Sequence, residues 1–101
     1  MSAIFKVEIT PTAEHDLEEI WEYIAQDDPK NASTFVLQLE KQICSLEQSP
    51  ERCSLIPENL ILGTVYRHLI FGKYRTIFRM SADTVYILRI VHGARLLEEL
   101  L

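Results

Sequence analysis

The stretch GKYRTIFRMSADTVYILRIVHGAR, residues 72–95, decides the fold. Gly72-Lys73 reads as a turn, Tyr74 to Met80 as a strand, Ser81-Ala82-Asp83-Thr84 as a hairpin turn and Val85 to His92 as the returning strand. Both strands are rich in β-branched and aromatic residues, which fit a pleated, half-buried surface. Side chains alternate along a strand, so Tyr74, Thr76, Phe78 and Met80 share one face and Arg75, Ile77 and Arg79 share the other. The first set is the more apolar and is expected beneath a covering layer. Arg75 and Arg79 are then expected on an open face, which antiparallel sheets tolerate. The face of Arg89 depends on the hairpin loop. A two- or four-residue loop puts it across from Thr76 on the covered side, and a three-residue loop puts it across from Arg75. Gly93 reads as a strand breaker that turns the chain back toward the sheet, with Ala94 to Leu101 a short helix or tail.

Working upstream, Thr64 to Phe71 completes a three-strand antiparallel meander. Residues 50–63, punctuated by Pro50, Pro57, Asn59 and Gly63, read as an irregular connection, and one of that length is often where function sits. Before it lie two proline-initiated helices near 11–27 and 29–48. Thr10 and Asp28 are the expected N-caps, with Pro11 and Pro29 in the first helical positions. Ala13, Leu17, Ile20, Trp21 and Ile24 form one apolar stripe; Ala32, Phe35, Val36, Leu39, Ile43 and Leu46 form the other. Trp21 is expected in the core, and Glu14, Asp16, Glu18, Glu19 and Glu22 on a solvated outer face. The very short link makes the pair an antiparallel hairpin. Ile4 to Ile9 alternates as a first short strand. The expected fold is α+β in the order β-α-α-β-β-β, a helical hairpin packed on one face of an antiparallel sheet, with residues 1–101 forming a single domain.

Composition narrows the class. Hydrophobic residues at 48% and charged residues at 25% exclude a disordered or fibrous chain. No apolar run approaches the roughly 18–20 residues that span a membrane, and Met1 to Glu8 lacks the pattern of a secretory signal, so the cytoplasm is the expected location. Cys44 and Cys53 match no metal spacing and read as reduced thiols, one on a helix and one in a loop. No phosphate-cradling glycine loop, nucleophile elbow or metal-spaced ligand set is present, so no cofactor and no metal are expected.

The net charge of −5 conceals an asymmetry. Residues 1–50 carry three basic side chains against ten acidic ones, whereas within 64–95 Arg67, Lys73, Arg75, Arg79, Arg89 and Arg95 face only Asp83. Those six basic residues are the candidate binding surface, for a polar partner. Arginine suits bidentate contact with phosphate or carboxylate. Lys73, Arg75 and Arg95, with His92 as a group that titrates near neutral pH, are the candidate catalytic set if the chain is a nuclease.

Three segments carry a family resemblance over essentially the whole chain: Thr10 to Leu17 opening the first helix, Gly72 to Arg79, and Val85 to Arg95. Together they resemble the RelE/ParE toxins of type II toxin–antitoxin systems, closer to the ParE-like, plasmid stabilisation branch. The resemblance implies a curved sheet with a helical hairpin against it, growth inhibition, and a cognate antitoxin protein that neutralises the toxin in a hetero-oligomer. It also implies one of two targets. ParE-like members poison DNA gyrase and are not enzymes. RelE-like members are endoribonucleases that cleave mRNA in the ribosome, with an arginine on the middle strand, another after the last strand and often a C-terminal tyrosine. Arg75 and Arg95 match the two arginines. The tyrosine has no counterpart in the tail Leu96 to Leu101, and a pI near 5.1 is poorly suited to docking against RNA. The His92-Gly93-Ala94-Arg95 ending is more similar to ParE-type members, so gyrase is the expected target, with ribosome-dependent mRNA cleavage as the alternative and a degenerate toxin that binds only its antitoxin as a third reading.

Overall fold

The computed structural model describes residues 4–93. Strand β1 (Lys6–Ile9) is followed by helices α1 (Pro11–Ala25) and α2 (Pro29–Cys44), two 3-10 turns (Ser45–Glu47 and Pro50–Arg52), the short helix α3 (Asn59–Leu62), and strands β2 (Arg67–Phe71), β3 (Tyr74–Ser81) and β4 (Thr84–His92). Both long helices start as their sequences dictate. Ala13 N–H donates to the Thr10 hydroxyl (3.3 Å) and Asn31 N–H to the Asp28 carboxylate (3.1 Å), with proline next in line at each start.

The sheet order is β1-β4-β3-β2, with β2–β3 and β3–β4 antiparallel. β1 runs parallel to β4, so the sheet is mixed where a purely antiparallel one was expected. The cause is topological. The helical hairpin and the meander carry the chain across the sheet between β1 and β4, and such a crossover can return parallel. The meander turns on Gly72-Lys73 and Ala82-Asp83, each a two-residue loop whose first residue has positive φ: +59° for Gly72 and +53° for Ala82.

One extra residue interrupts the β3–β4 ladder. Phe78 pairs with Ile87 and Ile77 with Arg89, so Leu88 has no opposite residue. The bulge's backbone groups find partners on and just before α1. The Thr10 hydroxyl donates to the Ile87 carbonyl (2.7 Å), and the Ile90 N–H donates to the Asp16 carboxylate (2.9 Å). Asp16 also takes Nε and Nη2 of Arg89 at 2.8 and 3.0 Å. The two-residue loop had put Arg89 on the covered side, and the bulge shifts its partner by one residue while leaving it facing α1.

The main core lies between hairpin and sheet, with Leu17, Ile20, Leu39, Ile43, Leu46, Phe78, Val85, Ile87 and Ile90 buried in it. Two helix readings are corrected here. Asp16 is buried rather than solvated, because it caps the bulge. Trp21 is 38% exposed, at the hairpin seam, where its Nε1–H donates to the Ser33 hydroxyl (3.2 Å). Gly93 ends β4 as expected, in a turn just after His92. Its N–H donates to the Lys73 carbonyl (2.7 Å), and a Cβ there would sit 3.3 Å from that oxygen, so close approach is what the position demands. The reading of Ala94 to Leu101 lies outside the described residues.

The Asp16 bridge yields a stability prediction. Asp16→Ala leaves a part-buried guanidinium and a buried amide without their acceptor, which should cost about 3 kcal/mol. Urea denaturation of variant and wild type measures it. A loss under about 1 kcal/mol, the range of an exposed ion pair, would mean the bridge does not hold α1 to β4.

Candidate functional site

The far face of the sheet is not open where Arg75 emerges. The connection 50–63 folds over it. Ile56 N–H donates to Tyr66 O (3.0 Å) and His68 N–H to Ser54 O (3.1 Å), so residues 54–56 line the outer edge of β2. Ile56 packs with Ile77 and Val91 in a second apolar cluster, joined by Leu62 and Tyr66. Asn59 fastens the segment further. Its side chain donates to Tyr66 O (2.9 Å) and accepts from the Thr64 hydroxyl (2.7 Å) and the Tyr66 N–H (3.0 Å). Strand parity placed Arg75 and Ile77 on the correct face, but the apolar residues of the connection had to cover something, and they cover that face.

Under this cover Arg75 meets Glu58. The guanidinium fork faces the carboxylate with both terminal nitrogens, Nη1 to Oε1 at 3.1 Å and Nη2 to Oε2. Both side chains are about 95% or more buried, at 5% and 3% exposure. His68 on β2 adds a third member, with Nδ1 at 3.4 Å from Arg75 Nη1. Arginine only donates, so Nδ1 must be the unprotonated, accepting nitrogen. Burial first, and Arg75 second, hold the His68 pKa below its ordinary value, partly offset by Glu58.

Beside the triad lies a cavity of about 360 Å³ walled by Pro57, Glu58, His68, Ile70, Gly72, Lys73, Tyr74, Arg75, His92 and Gly93. A second cavity of about 500 Å³ on the α1 side reaches the same Lys73, Tyr74 and His92. Tyr74 is fixed between them by Phe35 (ring centroids 5.7 Å) and by the edge of His92 (5.7 Å), and its burial raises its pKa.

The structure therefore gathers three of the sequence candidates, Lys73, Arg75 and His92, at one cavity. It sends the others elsewhere. Arg67 donates to the carbonyls of Glu51 (3.2 Å) and Cys53 (2.6 Å) and pins the connection. Arg79 is exposed, 4.3 Å above the Tyr86 ring. Arg89 faces α1 and binds Asp16, whose hydrogen bond raises its already high pKa. Arg95 lies outside the described residues. Glu58, His68 and Tyr74 were not singled out by sequence. Among the described residues no cluster of three His, Cys, Asp or Glu could hold a metal ion, and no helix is long and apolar enough to cross a membrane.

The family model of the ParE toxin of type II toxin–antitoxin systems, parDE, matches residues 7–97. The chain belongs to the ParE toxin family. Solved structures share the fold, among them the following two. The chromosomal ParDE system from P. aeruginosa superposes with a TM-score of 0.71 at 23% identity, covering 90% of this chain and 98% of that one. The RelBE2 toxin–antitoxin complex from Mycobacterium tuberculosis gives 0.62 at 24% identity, covering 92% and 95%. No curated protein sequence matches. The fold class expected from the sequence is thus that of both the ParE and the RelE neighbours. On this ParE-family scaffold Arg75 of β3 and Lys73 of the β2–β3 turn line one cavity, and that arginine is already paired with Glu58.

His68 gives the site a pH signature. Its folded-state pKa lies below the ordinary value, so the unfolded chain takes up a proton that the folded chain refuses. Stability should fall as pH drops from about 7.5 through the ordinary value near 6.5 and level off below the depressed folded value. Melting curves across that range should be flatter for His68→Gln than for the wild type. Parallel curves would show that His68 is not held neutral.

Proposed function

We propose that this chain is the toxin partner of a cognate antitoxin, and that it inhibits DNA gyrase rather than cutting mRNA. The buried Arg75–Glu58 pair carries the reading. Phosphodiester cleavage by basic side chains needs a base, an acid and a guanidinium free to stabilise the charge that develops on phosphate. Here the fork of Arg75 is filled by a carboxylate from the same chain, and His68 directs a ring nitrogen at Arg75. The acidic pI agrees with a protein target.

The antitoxin side of the proposal rests on the surface and on the fold neighbours, both of which are toxin–antitoxin systems. Leu60, Ile61, Val65 and Ile70 are 95, 73, 79 and 66% exposed, and the exposed Arg79 lies on the same chain half. An acidic and apolar antitoxin segment would complement both features. Binding to the folded toxin stabilises it by about 2.7 kcal/mol at a hundredfold excess over Kd, so the neighbouring gene product should raise the melting temperature. An unchanged transition at saturation would remove this partner.

One observation favours the second reading, a ribosome-dependent mRNA endoribonuclease: Lys73, Arg75, His68 and His92 do share a cavity. The two readings separate in one set of assays. Purified protein should inhibit supercoiling by gyrase, and induction should trigger a DNA-damage response without position-specific mRNA cuts. If instead purified protein cuts mRNA on ribosomes, and His92→Ala lowers that rate by about two to four orders of magnitude, the gyrase reading is overturned.

A further inference from the structure

The Arg75–Glu58 pair is more than the connection needs to stay in place. Residues 54–66 are already held by the edge pairing to β2, by the Asn59 side chain and by the Ile56–Ile77–Val91 cluster. A buried ion pair is weak as a source of stability, because desolvating two charges offsets most of their attraction. Its placement has a clearer chemical consequence. Among the described residues that line the cavity Glu58 is the one acid, set against Arg75, Lys73, His68 and His92. Its two oxygens meet both Nη atoms of Arg75, the same bidentate contact that two oxygens of a phosphate group make.

We propose that Glu58 is the specificity-determining residue of this cavity: it fills the Arg75 fork as an internal anion and keeps phosphate groups out. With the carboxylate in place an incoming phosphate meets a neutralised guanidinium and a repelling negative charge. With the carboxylate replaced, Arg75 and Lys73 remain as a two-cation phosphate site at the wall of an existing cavity. Glu58→Gln is the minimal change, since the amide keeps the side chain's shape and one acceptor while losing its charge. The inference builds on the reading that the wild-type cavity does not act on RNA, yet its readout is anion binding by a variant, so it can fail while the gyrase assignment stands, and the reverse.

The test uses the full chain as wild type, Glu58→Gln, and Glu58→Gln with Arg75→Gln. Each is titrated with inorganic phosphate and, separately, with a short single-stranded RNA, by calorimetry and by melting temperature at constant ionic strength. Glu58→Gln should bind phosphate about 10- to 100-fold more tightly than the wild type, the range of a charge-assisted contact, and the double variant should lose the gain. RNA binding that follows the same order would name the backbone phosphate as the ligand; a gain for inorganic phosphate alone would restrict the cavity to a single phosphate group. Should Glu58→Gln be unfolded in chloride, phosphate should restore its folding transition and leave the double variant unaffected. A folded Glu58→Gln with wild-type phosphate affinity, a gain that persists in the double variant, or an unfolded variant that phosphate does not rescue would each overturn the proposal.

Discussion

β4 is paired on both edges and covered by α1, and the single residue inserted at Leu88 is the constraint around which the rest is arranged. A bulge in a central strand breaks the hydrogen-bond ladder where no water can repair it, so the protein must supply partners. It does so from one short stretch. Thr10, the N-cap of α1, takes up the Ile87 carbonyl, and Asp16, a turn and a half later, takes up the Ile90 amide and the Arg89 guanidinium. The helical hairpin is thereby fixed in rotation and in register on the sheet. The same bulge sets the face of everything beyond it. Val91 turns toward Ile56 and Ile77, and His92 comes level with Tyr74 at the cavity rim.

Much of this was legible as pattern. Helical stripes, proline and cap signals, and strand alternation depend on nearest neighbours in the chain, and α1, α2, β3 and β4 fall within a few residues of their expected bounds. The readings that failed needed information from across the fold. At about 100° per residue, Asp16 lies roughly 60° from Ala13 on one side of the apolar stripe, and Trp21 lies about 80° away on the other. Hydrophobicity alone assigns the tryptophan to the core. The structure buries the aspartate, because its partners are a guanidinium and a free amide more than seventy residues away. A charged residue inside an apolar stripe was the available signal, and it implies a buried partner.

The cavity was legible in the same uneven way. Lys73, Arg75 and His92 were picked out because basic residues cluster in sequence, and the meander brings their positions together. Counting charges in a window, however, treats each as free. Glu58 sits in a connection without periodicity, seventeen residues from Arg75, and nothing local marks it as the neutralising group. Arg89 and Asp16 repeat the lesson on the other face. Of the five basic residues in the meander that the structure describes, two are bound to carboxylates from elements earlier in the chain. The acidic half of the sequence and the basic half are therefore not two independent surfaces; in part they are each other's counterions.

That pairing bears on how one fold hosts two chemistries. The neighbours include both a ParDE and a RelBE system, and a shared sheet with a shared hairpin does not choose between their targets. What can choose is the occupancy of the donors on the far face of β3. A guanidinium presented to solvent attracts phosphate at long range and holds it at short range. One already saturated by a buried carboxylate offers neither, and its cavity then presents a smaller charge beside exposed apolar side chains. Such a surface suits a protein partner, where shape and apolar contact count for more than net charge. On the reading proposed above, the difference between acting on a nucleic acid and acting on a protein comes down to a carboxylate in the connection before β2, and not to any change in the sheet that carries the arginine.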